Sequence, residues 1–169
     1  SDEEIRAIRK IFIVACGSAS YTGMTAKYIF EGMARIPVEV DVASEFRYRD
    51  PILTPETLVI VVSQSGETAD TLAALRLAKS QGSRVLGIVN VVGSSIAREA
   101  DNVLYTWAGP EISVATTKAY SSQLAAFYLL SVKFARVRGV IDDVQVAEYI
   151  HDLKELPGQI ELTLGCKEK

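Results

Sequence analysis

The sequence predicts an α/β fold: a three-layer α/β/α sandwich built on a five-stranded parallel sheet. Strand, polar turn and helix recur along the chain, the pattern of βαβ units with right-handed crossovers. The best-defined strand, Leu58 to Val62 (LVIVV), is short and apolar on both faces, as a strand covered by helices on each side must be. The composition agrees, with 49% hydrophobic and 23% charged residues among 169 and a mean hydropathy of +0.18. That is the profile of a soluble globular chain with doubly buried strands, in one domain large enough to bury a substantial core.

Taken in order, residues 2–9 read as a short helix with Asp2, Glu3 and Glu4 in its first turn, where the helix dipole favours acids. IFIVAC, Ile11 to Cys16, reads as the first buried strand, followed by a hydroxyl-bearing turn over 17–21. A helix over 22–35 carries Met24, Tyr28, Ile29, Phe30 and Met33 on its core side, and Pro37 stops it. Residues 38–46 form a second strand whose alternation, VEVDVA, places it near a sheet edge. Pro51 and Pro55 make 48–56 a loop before the central strand.

After Val62 the chemistry changes within one residue. Ser63, Gln64, Ser65, Gly66, Glu67 and Thr68 bring three hydroxyls and a glycine into the turn, and a helix over 69–81 follows. The first amides of a helix have no partner in the helix, and its dipole adds about half a positive charge there. Hydroxyls, free N–H groups and a glycine that admits an oxyanion to the backbone together suit a phosphate, without a lysine. Ser65 or Thr68 serving only as a cap, with Gly66 only a turn residue, is the ordinary alternative; three hydroxyls exceed what one cap requires.

Gly82 and Ser83 cap that helix, 84–90 (VLGIVN at its core) is the fourth strand, 93–101 a short helix capped by Ser94, and 102–107 the fifth strand. The turn over 108–116 is broken by Gly109 and Pro110. A long helix over 115–138 is apolar on more than one face, which predicts packing between the sheet and a partner domain or subunit. Residues 142–156 form a last amphipathic helix that Pro157 ends, and 158–169 begins another helical segment. In an open parallel sheet ligands bind at the carboxyl ends of strands. Three such turns, after Cys16, Val62 and Trp107, carry Ser or Thr, and their convergence points to a phosphorylated, hydroxyl-rich ligand.

Other classes fit poorly. A net charge of −3 and a pI near 5.3 argue against nucleic acid. No apolar run approaches the ~18 residues of a membrane span, and the charged first residues are no signal peptide. Cys16 and Cys166 match no metal or disulfide spacing, which favours the cytoplasm, and no cofactor is called for. The absence of an initiator Met hints at a trimmed product. Cys16 reads as a small core residue and His151 as a surface or helix-packing residue. Glu67 and Lys118 read as a helix-start acid and a solvated lysine, beside a third turn that also holds Glu111.

Four stretches, CGSASYTG at 16–23, ASEFRYR at 43–49, SQSGETADTLAALRLAK at 63–79 and EISVATTKAY at 111–120, resemble in order the motifs of the sugar isomerase (SIS) domain family. Within it they resemble the first isomerase half of the glutamine–fructose-6-phosphate aminotransferase family. The resemblance implies a flavodoxin-like SIS fold over 1–157, with 158–169 starting the connection to a missing second SIS domain. It implies that Ser63, Gln64, Ser65 and Thr68 bind the phosphate of fructose 6-phosphate, that Ser18 contributes a hydroxyl, and that Val114 offers backbone and Thr116 a weaker contact to the sugar. Ala19 stands where many members carry Ser, and that hydrogen bond is lost. The implied reaction is glutamine plus fructose 6-phosphate to glucosamine 6-phosphate plus glutamate. The glutaminase domain and the acid/base residues of the second half are missing, so the isolated chain is expected to bind without turnover. A homodimer is expected, and the charged cluster at Glu45, Arg47, Tyr48 and Arg49 is placed at a domain or subunit contact. An SIS deglycase or isomerase and a non-catalytic phosphosugar sensor are the alternatives.

Overall fold

In the computed structural model, which describes residues 1–113 and 116–166, five strands form one all-parallel sheet in the order β2-β1-β3-β4-β5. The strands are β1 (Lys10–Ala15), β2 (Val38–Val42), β3 (Thr57–Ser63), β4 (Arg84–Val89) and β5 (Asn102–Tyr105). All seven residues of β3 are buried, as expected for a strand with neighbours on both sides and helices on both faces. β2, read as an edge strand from its polar alternation, lies at one edge.

Two cores sit on opposite faces of the sheet, and the period-2 alternation of the strands sorts residues between them. Ile11, Ile13, Leu58, Ile60 and Val62 point to one face, where α2 (Ser18–Met33) and α6 (Lys118–Val137) pack through Phe30, Phe127 and Phe134. Phe30 meets Phe134 edge-on at 5.6 Å. Phe12, Val14, Val59 and Val61 point to the other face, covered by α3 (Ala43–Phe46), α4 (Ala69–Ser80) and α5 (Ser95–Glu99). Gly23 lets α2 lie close on β1, since a Cβ there would come within 2.8 Å of Ile13 Cγ2.

Four boundaries differ from expectation by three residues or more. α2 begins at Ser18, four residues early, because Ser20 and Thr22 donate their hydroxyls to Gly17 O and Ala19 O, both at 2.6 Å, and so fit inside a helix. β2 stops at Val42; the chain turns into α3 so that Phe46 reaches Phe12, 5.5 Å between ring centroids. α6 starts at Lys118 rather than 115. The last helix, α7 (Asp143–Gly165), runs through Pro157 instead of ending there. A proline removes one ladder hydrogen bond, and beyond it the helix resumes, with Thr163 Oγ1 donating to Gln159 O at 2.9 Å. α1 (Asp2–Ala7) opens the chain with a capping box from Ser1 and Glu4.

Candidate functional site

The strand order reverses direction between β1 and β3, and a cavity of about 300 Å³ opens at their carboxyl ends. Cys16, Ser18 and Ala19 line it from the first turn, Val62, Ser63, Gln64, Ser65 and Thr68 from the second, and Glu111, Ser113 and Thr116 from the third, with Gln123 from α6. Six of the seven residues singled out in the sequence, Ser18, Ser63, Gln64, Ser65, Thr68 and Thr116, are thus brought together. Val114 lies outside the described residues.

The second turn is built by its own hydroxyls. Ser63 is 3% exposed; its Oγ accepts Gly66 N–H at 3.0 Å and lies 2.9 Å from Thr68 Oγ1. Ser65 Oγ accepts Glu67 N–H at 3.2 Å. Part of the hydroxyl set therefore braces the turn. A hydroxyl that accepts keeps its own proton to donate. When Ser63 gives its proton to Thr68, the Thr68 proton is available to the cavity, as is that of Ser65. Thr68 is the N-cap residue of α4 but makes no side-chain cap bond, so the first N–H groups of that helix are left without a cap acceptor from it; Asp70 in the first turn is paired with Arg47 at 3.1 Å.

Gly66 is required twice over. Its φ is +68°, and a Cβ there would fall 2.0 Å from Ser94 Oγ and 2.6 Å from Ser94 Cβ. Ser94 was expected to cap α5, yet its Oγ is buried without a hydrogen-bond partner among the described residues. The cap comes from the second turn instead: Ser95 N–H donates to Glu67 Oε1 at 2.7 Å, and Ile96 N–H to Gly66 O at 3.0 Å. Hydrogen bonds from Ser95 hold the Glu67 carboxyl below its ordinary range.

Glu111 is the one carboxylate among the described lining residues. It accepts Ser113 N–H at 3.2 Å and Thr116 Oγ1–H at 3.0 Å. Desolvation pushes its pKa up, but the bonds from Thr116, Ser113 and Ala119 and the charge of Lys118 outweigh it, so the group is held below the usual range. Its charge is thereby spent at the start of α6.

Sequence reasoning missed Gln123, 3% exposed and 3.4 Å from Thr22 Oγ1; a single amide on an otherwise apolar helix face was its only signal. Cys16, expected as a core residue, is half-buried and faces the cavity, because β1 ends at Ala15 and leaves the thiol past the sheet edge. His151 is exposed on α7. Among the described residues no group of His, Cys, Asp and Glu could hold a metal ion, and no helix is long and apolar enough to cross a membrane.

A parallel sheet of order 2-1-3-4-5 with a polar cleft at its switch point defines a flavodoxin-like, doubly wound α/β domain. Within that class the chain belongs to the SIS domain family, whose pattern matches residues 4–133. The glutamine–fructose-6-phosphate aminotransferase (isomerizing) of Caldanaerobacter subterraneus subsp. tengcongensis is 60% identical over 166 residues, 98% of this chain and 27% of that protein. Its counterpart in Clostridium acetobutylicum is 58% identical over 167 residues, 99% of this chain and 28% of that protein. The chain thus spans about a quarter of the length of these curated relatives. Among solved structures, the C-terminal domain of glucosamine-fructose-6-phosphate aminotransferase from Francisella tularensis superposes with a TM-score of 0.88 at 43% identity. That match covers 91% of this chain and 44% of that one.

Proposed function

We propose that this chain is the fructose-6-phosphate-binding half of the isomerase domain of a glutamine–fructose-6-phosphate aminotransferase, acting in the cytoplasm. The observation that carries the reading is the uncapped start of α4, facing a polar cavity with Ser65 and Thr68 at its mouth. A phosphate there meets a helix dipole and hydroxyl donors, and no neighbouring side chain already occupies the cap position. Ser63, which also braces the turn, and Gln64 are assigned to the phosphate with Ser65 and Thr68; Ser18 is assigned a hydroxyl contact, the backbone of Val114 a contact to the sugar, and Thr116 a weaker one.

Binding without turnover is the corresponding expectation for the chain alone. A base that enolises a sugar phosphate needs a pKa near the working pH. Glu111, hydrogen-bonded and held low, is poorly suited to that role. The remainder of the reaction, glutamine plus fructose 6-phosphate to glucosamine 6-phosphate plus glutamate, is assigned to a glutaminase domain and to a second SIS domain, with 158–169 starting the connection to the latter. A dimer is also proposed, supported by an exposed apolar groove lined by Met24 and Tyr28 on α2 and Tyr128 on α6; sedimentation as a clean monomer would count against it.

The test of the site is calorimetric titration with fructose 6-phosphate, glucosamine 6-phosphate, fructose and inorganic phosphate, on the chain and on Ser65→Ala. The phosphosugars and phosphate are expected to bind and fructose not. Ser65→Ala should weaken the phosphorylated ligands by roughly 10- to 100-fold, the worth of a hydrogen bond to a charged group. Binding of fructose equal to that of its phosphate would refute the assignment.

A further inference from the structure

Asn90 follows the last residue of β4 and does not line the cavity, yet it joins two of the cavity's walls. Its backbone N–H donates to Gln64 O at 3.1 Å, in the turn after β3. Its side chain reaches the segment after β5. There Oδ1 accepts Ala108 N–H at 2.8 Å and Thr106 Oγ1–H at 3.1 Å, and Nδ2 donates to Gly109 O at 2.7 Å. An N–H only donates and a carbonyl only accepts, so these partners fix which way the amide points.

Between the tethered residues sits Trp107, at φ +52°, in the left-handed region that bulky side chains disfavour. Trp107 is 75% exposed, so burial does not hold it there; its neighbours on both sides are held by one side chain. Such a conformation persists where the surroundings over-determine it. Two residues past Gly109 the chain reaches Glu111, then Ser113 and Thr116 on the cavity wall.

We infer that Asn90 is a positioning residue that sets the wall after β5 against the turn after β3, and so fixes the span that one ligand must bridge. This rests on the phosphosugar reading of the cavity. Inorganic phosphate needs only the turn after β3, whose bond to Asn90 is through the backbone. A sugar phosphate needs both walls. The Asn90 side chain therefore governs the second ligand and not the first.

The experiment uses Asn90→Ala, with Asn90→Asp, which keeps the accepting oxygen, and Thr106→Val, which removes a single tether and leaves β4 untouched. Trp107 is the only tryptophan of the sequence, so its fluorescence anisotropy and acrylamide quenching report the tether without any ligand. Asn90→Ala is expected to lower the anisotropy and raise the quenching, with Asn90→Asp restoring much of both and Thr106→Val falling between. In calorimetry Asn90→Ala should bind fructose 6-phosphate about tenfold more weakly, one hydrogen bond's worth, and inorganic phosphate within about twofold of the unmodified chain. Unchanged anisotropy would overturn the tether, whatever the ligands do. A freed Trp107 with unchanged sugar-phosphate affinity, or an equal loss of both ligands, would overturn the positioning role. If the unmodified chain binds neither ligand, the phosphosugar reading fails and takes the role with it, while the anisotropy still decides whether the tether exists.

Discussion

Helices α4 and α7 meet the same requirement in opposite ways. Each begins with N–H groups that no preceding turn accepts. At α7, Asp142 Oδ1 accepts Gln145 N–H at 2.9 Å, and Gln145 Oε1 accepts Asp142 N–H at 3.2 Å, a complete capping box. At α4, Thr68 could cap but turns its hydroxyl to Ser63 instead. The contrast extends beyond this pair. α1 and α7, which do not border the cavity, each carry a capping box, whereas the N-cap residues of the other helices, Gly17 of α2, Val42 of α3, Thr68 of α4, Ser94 of α5 and Thr117 of α6, make no side-chain cap bond, and of these Thr68 alone lines the cavity. At α7 the chain satisfies its own first donors with side chains of the same turn; at α4 the N-cap side chain leaves them unused.

The strongest way to break the contrast is at Gly66. Gly66→Ala places a Cβ on Ser94 and forces a left-handed conformation. The expected cost is about 2–4 kcal/mol of stability, from the backbone and overlap penalties together, with phosphate binding lost. Adding Ser94→Gly relieves the overlap alone and should recover part of the melting temperature but not the binding. Asp142→Ala is the counterpart at α7. It should cost about 1 kcal/mol, the usual worth of a cap, and leave ligand affinity unchanged. Denaturant unfolding and calorimetry on the same three proteins check both, and an Asp142→Ala that weakens binding would dissolve the distinction between the two helices.

The sequence carries the sheet more plainly than the site. The buried run 58–62, the polar alternation at 38–42 and the spacing of helices place all five strands, because a doubly covered sheet writes itself as apolar runs. The three polar turns were legible for a similar reason: strand ends and hydroxyls are both local. What sequence reading misplaced is decided by contacts between distant residues. Phe46 turns inward to meet Phe12, which shortens β2; Glu67 caps a helix 28 residues further on; Asn90 ties turns that no spacing relates. Pro157 misled in the other direction, since the helix continues through a residue that usually ends one.

The smallest expected effect is on pH dependence, and it sharpens the contrast by separating protein from ligand. Hydrogen bonds from Ser95 lower the Glu67 pKa. For Glu111, bonds from Thr116, Ser113 and Ala119, with the charge of Lys118, outweigh the desolvation that raises it. A carboxyl depressed in the folded state binds fewer protons there than in the unfolded chain. The stability it contributes is fully present above the unfolded value, about 4.3 for glutamate, and disappears as pH falls through the folded value. Melting temperatures from pH 6 to pH 3 should therefore show a gap between the unmodified chain and Glu67→Gln that is constant down to about pH 4.5 and closes below it. A phosphate monoester changes charge higher, near pH 6. Affinity for fructose 6-phosphate should accordingly fall between pH 7 and pH 5, where the free protein's melting temperature stays level. A gap that persists unchanged to pH 3 would mean that Glu67 holds α5 through shape alone and not through charge.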